Sequence, residues 1–312
     1  MFLLRFFLDY FKSGLVLFTI LFGLLLHGCA YFPEALDEPT QAVVGVDGRL
    51  YVSDGYSNGR IAVFDTDGQF VTSWGTKGFG REQFITPHSL AQMSDGSILV
   101  ADRGNARIQR LSAKGEFIEQ WHGEKLGRPW SVAVAKDDTV FVVDGGDQDA
   151  SAPRSGLVKL DKNGKILCRW GRFGKGEGEL NWGHMLAVSP KGLYVVDLKN
   201  RRILKFAKDP KGECGFKVVP NWSKVSFWEK SSPLGIAVHN GRVYVSMQQA
   251  GEPILVLDEE SGEELASLGK GLFTIAHGLY VDDKSIWVTD RAKNRVTRLS
   301  LEGKLELHIG GR

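Results

Sequence analysis

One pattern recurs six times along the chain and constrains what it can fold into. Each copy runs through Pro-x-x-x-Ala-Val, then Gly-x-Leu-Tyr-Val-x-Asp, then Asn-x-Arg-Ile, then an apolar run ending in Gly. The copies open at Pro39, Pro87, Pro129, near Gly183, Pro233 and Ala276. Each holds four short apolar runs split by turn residues. Asp47-Gly48, Asp67-Gly68, Asp95-Gly96 and Asn163-Gly164 stand where hairpin turns belong. Four strands in a unit of about 40 to 50 residues describe a propeller blade. The expected fold class is all-β, a six-bladed β-propeller over residues 39–312, which leaves no room for a second domain.

Composition agrees: glycine is abundant at 38 residues and proline scarce at 10, as tight turns between short strands require. The net charge of +2 and the lack of a long basic run exclude nucleic acid as a partner. The first 28 residues stand apart. Arg5 and Lys12 precede an apolar run from Gly14 to Leu26, and Leu26-His27-Gly28-Cys29 follows. This resembles a bacterial lipobox with Cys29 as the acylated residue; the other reading is an uncleaved signal anchor. Residues 1–28 are thus expected to be a signal peptide or membrane anchor and 29–38 a linker. The bulk of the chain would lie in the cell envelope, membrane-anchored or periplasmic. Cys168 and Cys214 fall in different repeats and read as separate buried thiols, although an exported compartment permits a disulfide.

The repeats also align the candidate site. The residue after each opening proline, or its equivalent, is Thr40, His88, Trp130, His184, Leu234 and His277. Histidine therefore takes blades two, four and six. Alternate blades of a six-fold ring are related by a three-fold rotation, and the first strand of each blade lines the channel. Three imidazoles would converge on the axis, the ligand set of a catalytic zinc site with an open position. The other four histidines, His27, His122, His239 and His308, miss this register. Strands one and two are antiparallel, so residues just after the second strand share the histidines' face. These are Gly55-Tyr56, Arg103, Gly145-Gly146, Leu198, Gln248 and Arg291. Tyr56 suits a proton donor or base, and Arg103 and Arg291 suit a carboxylate.

Asp102-Arg103-Gly104-Asn105-Ala106-Arg107-Ile108 and its counterparts resemble NHL repeats. Longer stretches resemble the peptidyl-α-hydroxyglycine α-amidating lyases: Val52 to Ile61 around Tyr56, Gln83 to Ala91 around His88, Val100 to Gln109 around Arg103, and Leu272 to Leu279 around His277. Gly183 to Val188 around His184 matches more loosely. The resemblance implies that His88, His184 and His277 hold Zn2+, that Tyr56 accepts a proton, and that Arg103 binds the substrate carboxylate. The implied reaction splits a carbinolamide C–N bond, giving an amide and glyoxylate. Three departures stand out. The segment with His277 comes last rather than before the tyrosine segment. The family's second arginine aligns with Gln248, and Arg291, one blade away, is the residue that could compensate. The family's calcium-ligating aspartate aligns with Met185, so calcium has no support.

The leading expectation is an exported, metal-dependent lyase acting on a small molecule or peptide in the central channel. The alternative is a non-enzymatic NHL propeller that binds a protein or envelope component on one face. A third reading is a propeller lactonase or related hydrolase.

Overall fold

The second strand of every repeat is apolar on both sides, and the reason is that both its faces are covered. In the computed structural model, which describes residues 35–147, 151–223 and 231–311, six four-stranded antiparallel sheets are built each from four consecutive strands. Blade 1 is Gln41–Val44, Arg49–Asp54, Arg60–Asp65 and Phe70–Trp74. Blade 2 is Pro87–Gln92, Ile98–Asp102, Arg107–Leu111 and Phe117–His122. Blade 3 is Pro129–Val134, Val140–Asp144, Gly156–Leu160 and Ile166–Trp170. Blade 4 is Gly183–Ser189, Gly192–Asp197, Arg202–Glu213 and Phe216–Val219. Blade 5 is Pro233–His239, Arg242–Met247, Ile254–Asp258 and Glu264–Leu268. Blade 6 is Ala276–Val281, Ser285–Asp290, Arg295–Ser300 and Leu305–Gly310. The turn glycines Gly48, Gly68, Gly96 and Gly164 all take positive φ, which glycine adopts without steric penalty.

The core is divided among the six gaps between neighbouring blades. Tyr51, Ile61, Leu90 and Val100 fill the gap between blades 1 and 2; Met185, Tyr194, Ile236 and Val245 fill that between blades 4 and 5. Fully burying one such side chain stabilises by about 1.5–3 kcal/mol, so each gap is a substantial glue. Fourth strands face solvent and alternate accordingly, as in Phe117–His122. The ring closes where the first strand of blade 1 packs on that of blade 6, with no exchanged strand.

Two expectations change. Residues 36–38 are not linker. Leu36 is buried with Trp287 and Ile309 in the gap between blades 1 and 6, and the Glu38 amide donates to Asn294 Oδ1. The chain joins the propeller here because an open ring edge needs a cover. Cys168 and Cys214 are not separate thiols: they form a disulfide with a Cα–Cα distance of 5.7 Å, tying the outer strand of blade 3 to the outer hairpin of blade 4. The first 28 residues and Cys29 lie outside the described residues.

The aspartate ending strand two is the fold's fastening point. Asp54, Asp102, Asp144, Asp197 and Asp290 are buried, and each accepts a backbone N–H from the preceding inter-blade loop. In blades 1, 2 and 4 the asparagine and arginine of the repeat close onto the same carboxylate: Asn58 and Arg60 on Asp54, Asn105 and Arg107 on Asp102, Asn200 and Arg202 on Asp197. Burial pushes these three carboxyl pKa values up, and the hydrogen bonds and arginines pull back against it. The repeat signature is therefore a charge that must be paired once buried.

Candidate metal centre

A bulge in the first strand of blades 2 to 6 aims the site. The ladder pairs Pro87 with Asp102 and Ser89 with Ala101, which leaves His88 unpaired. The same shift leaves Trp130 out in blade 3, His184 and Met185 in blade 4, and His277 and Gly278 in blade 6. A bulged residue is turned out of the pleat. Here it is turned to the axis. The imidazole centroids of His88, His184 and His277 lie 4.9, 5.0 and 5.0 Å apart, close to an equilateral triangle, and all three rings are buried.

Their protonation is set by the blades between them. His88 Nδ1 lies 2.6 Å from Trp130 O, His184 Nδ1 2.7 Å from Leu234 O, and His277 Nδ1 2.7 Å from Thr40 O. A carbonyl oxygen can only accept, so Nδ1 carries the hydrogen in each case and Nε2 keeps its lone pair. Burial then pushes all three pKa values down, His184 to about 3 and the other two well below the ordinary range; Arg103 and, for His88 and His277, the neighbouring imidazoles add to this. One ligand atom from each histidine lies within 4.8 Å of the others.

This arrangement fits a metal ion. The Tyr56 hydroxyl stands 3.2 Å from His88 Nε2 and 3.2 Å from His277 Nε2. It has one hydrogen, so it can donate to one of the two. Converging neutral imidazoles, each oriented by a backbone carbonyl on its Nδ1 and keeping an Nε2 lone pair, are the donor set of a borderline divalent cation. Met185, next to His184, is buried in the apolar gap between blades 4 and 5 and offers no oxygen to calcium.

Two rings of residues wall the cup. The residue two before each of Thr40, His88, Trp130, His184, Leu234 and His277 accepts, through its carbonyl, the N–H of a residue just past strand two. The pairs are Glu38 with Tyr56, Thr86 with Arg103, Arg128 with Gly145, Trp182 with Leu198, Ser232 with Gln248 and Ile275 with Arg291. Blade 1 carries one residue more than blade 2 between the aspartate and this position, and that residue is Gly55. A Cβ there would meet Pro87 O at 2.0 Å, so only glycine lets the chain pass and bring Tyr56 into line with Arg103.

Arg103 Nη1 donates to the Tyr56 hydroxyl at 3.5 Å, and its guanidinium lies 3.7 Å from the Trp130 ring centroid. Burial lowers the Arg103 pKa, Tyr56 opposes this, and Arg128 and Arg291 reinforce it. The Arg291 guanidinium stacks 4.4 Å over the Tyr56 ring while its Nε donates to Glu38 Oε1 at 3.0 Å. Arg291 is thus engaged with Glu38 and backs Tyr56. Gln248, at the place of the second arginine, is exposed. The sequence reading found the ring after strand two and missed the ring before the bulge: Glu38, Arg128 and Trp182. Their signal was positional, two residues before the histidine register.

A family model described as a 6-bladed beta-propeller matches residues 38–167. Peptidyl-glycine alpha-amidating monooxygenase B of Xenopus laevis is 34% identical over 201 residues, covering 59% of this chain and 22% of that protein. A probable peptidyl-alpha-hydroxyglycine alpha-amidating lyase of Caenorhabditis elegans is 39% identical over 181 residues, 54% of this chain and 49% of that one. The chain is similar in sequence to the amidating lyases. It spans about a fifth of the length of the monooxygenases it matches. Among solved structures, a gluconolactonase from Xanthomonas campestris superposes with a TM-score of 0.61 at 18% identity, over 82% of this chain and 84% of its own, which shows the fold.

Proposed function

We propose that the protein is an exported, metal-dependent lyase that splits the C–N bond of a carbinolamide, releasing an amide and glyoxylate. The observation that carries this reading is the Tyr56 hydroxyl poised 3.2 Å from two of three convergent, neutral histidines. His88, His184 and His277 would hold the ion. A divalent cation there supplies positive charge against the negative charge that builds on a substrate oxygen. Tyr56 takes the substrate hydroxyl's proton as it hands its own to the departing nitrogen; the oxygen's electrons form the aldehyde carbonyl and the C–N pair leaves with that nitrogen. Arg103, held flat against Trp130 and pointing at Tyr56, binds the carboxylate that becomes part of glyoxylate. The resemblance of the segments carrying Tyr56, His88 and Arg103 to the amidating lyases supports the assignment, as does the 39% identity over 181 residues to the Caenorhabditis elegans lyase. The charged, apolar N-terminus and the Cys168–Cys214 disulfide support export, with Cys29 as the lipid attachment point.

The test is metal analysis of the full-length protein, followed by a glyoxylate assay on an N-acyl-α-hydroxyglycine. The expected result is near-stoichiometric divalent metal and enzymatic glyoxylate release, both abolished in His88→Ala. Less than about one ion per ten chains, with His88→Ala behaving as the parent, overturns the reading.

A further inference from the structure

The two halves of the cup differ in chemistry. Charged groups crowd its blade 6, 1 and 2 side, where Arg291, Glu38, Tyr56 and Arg103 stand. The blade 4 side is lined by Trp182 and Leu198, with the exposed Lys199 at its edge. There Trp182 pairs with Leu198 through the backbone, and its ring lies 6.0 Å from that of Trp130, which in turn sits 5.7 Å from both His88 and His184. Trp130 is closed off: Arg103 covers one face, its Nε1 donates to Gly146 O, and it is only 2% exposed. Trp182 is half-buried, one ring removed from the histidines through Trp130. On the solvent side Lys199 Nζ lies 4.3 Å from its ring centroid. Lys199 is exposed, so this contact is weak and an incoming ring can displace it.

Trp182 has φ +58, and its counterparts Glu38 and Thr86 share the left-handed conformation at φ 54 and φ 56, so the backbone here belongs to the repeat and tolerates different side chains. The indole is also fixed from behind, packed on the apolar gap between blades 4 and 5. A rigid aromatic face next to a polar reaction centre recognises a flat apolar group.

We propose that Trp182 determines specificity by forming a subsite for an aromatic acyl group on the substrate's amide side, across the cup from the Glu38–Arg291 pair. The identity of the reacting group rests on the lyase reading; the subsite does not. The experiment therefore uses unreactive probes. N-benzoylglycine and N-acetylglycine share a carboxylate and an amide, lack the scissile hydroxyl and differ in the ring. Calorimetric titration of the full-length protein is expected to show N-benzoylglycine binding at least tenfold more tightly. Trp182→Phe should keep most of that ratio. Trp182→Gly removes the indole at a backbone conformation glycine adopts freely, and with an unchanged thermal melt checked first it should bring the ratio within about twofold. The same ratio should appear in kcat/KM for the two N-acyl-α-hydroxyglycines, through KM. No measurable N-benzoylglycine binding, or a ratio unchanged in Trp182→Gly, overturns the subsite. Trp182-dependent discrimination in binding without glyoxylate release upholds it and overturns the lyase instead.

Discussion

At the register position that follows each opening proline or its equivalent, even-numbered blades give imidazoles to the centre and odd-numbered blades give backbone carbonyls. His88, His184 and His277 come from blades 2, 4 and 6; the carbonyls of Trp130, Leu234 and Thr40 come from blades 3, 5 and 1 and take the Nδ1 hydrogens. The difference teaches that the centre is a six-blade object even though three blades supply ligands. The even positions need histidine. The odd positions tolerate threonine, tryptophan and leucine, because a carbonyl exists whatever the side chain.

The largest expected effect of breaking this pattern is at an even position. His184→Ala should bring metal content to background and abolish turnover, measured by elemental analysis and glyoxylate release. Metal retained at full stoichiometry would contradict the three-ligand centre. Tyr56→Phe comes next. It removes a hydroxyl and leaves the imidazoles, so turnover should fall roughly 10²- to 10⁴-fold with metal content unchanged.

Acid sharpens the same comparison. The folded pKa of each histidine lies below its unfolded value of 6.5, so between the two the unfolded chain binds more protons. Stability of the metal-free protein is complete above pH 6.5 and declines as pH falls toward 3, the value for His184. Denaturant midpoints at several pH values should trace this decline, and His184→Gln should flatten it. Equal slopes in the two proteins would sink the account.

The smallest effect belongs to the odd positions. Thr40→Val removes a hydroxyl that bonds Ser53 and Pro87 O, at a cost of about 1–2 kcal/mol in unfolding free energy. It leaves the Thr40 carbonyl on His277, so metal content should not change. Loss of metal in Thr40→Val would mean that the odd side chains matter after all.

Much of this was legible from repetition. Six copies of one pattern report the blade number, and a register shared by His88, His184 and His277 reports a three-fold meeting point. Tyr56 and Arg103 followed from antiparallel geometry alone. Other parts were hidden because the contact is between residues distant in sequence. Glu38 looked like linker, yet it holds Arg291, 253 residues away, beside Tyr56. Cys168 and Cys214 looked isolated, because nothing local shows that neighbouring outer strands bring them together.

Periodicity, a local property repeated, settles the six-fold ring and which blades carry imidazoles. Contacts between blades settle the rest: which nitrogen of each histidine faces the axis, that Arg291 backs Tyr56, and that charged groups gather on one side and Trp182 on the other. Those depend on the carbonyls and side chains that each blade presents to the next, and ring closure alone fixes them.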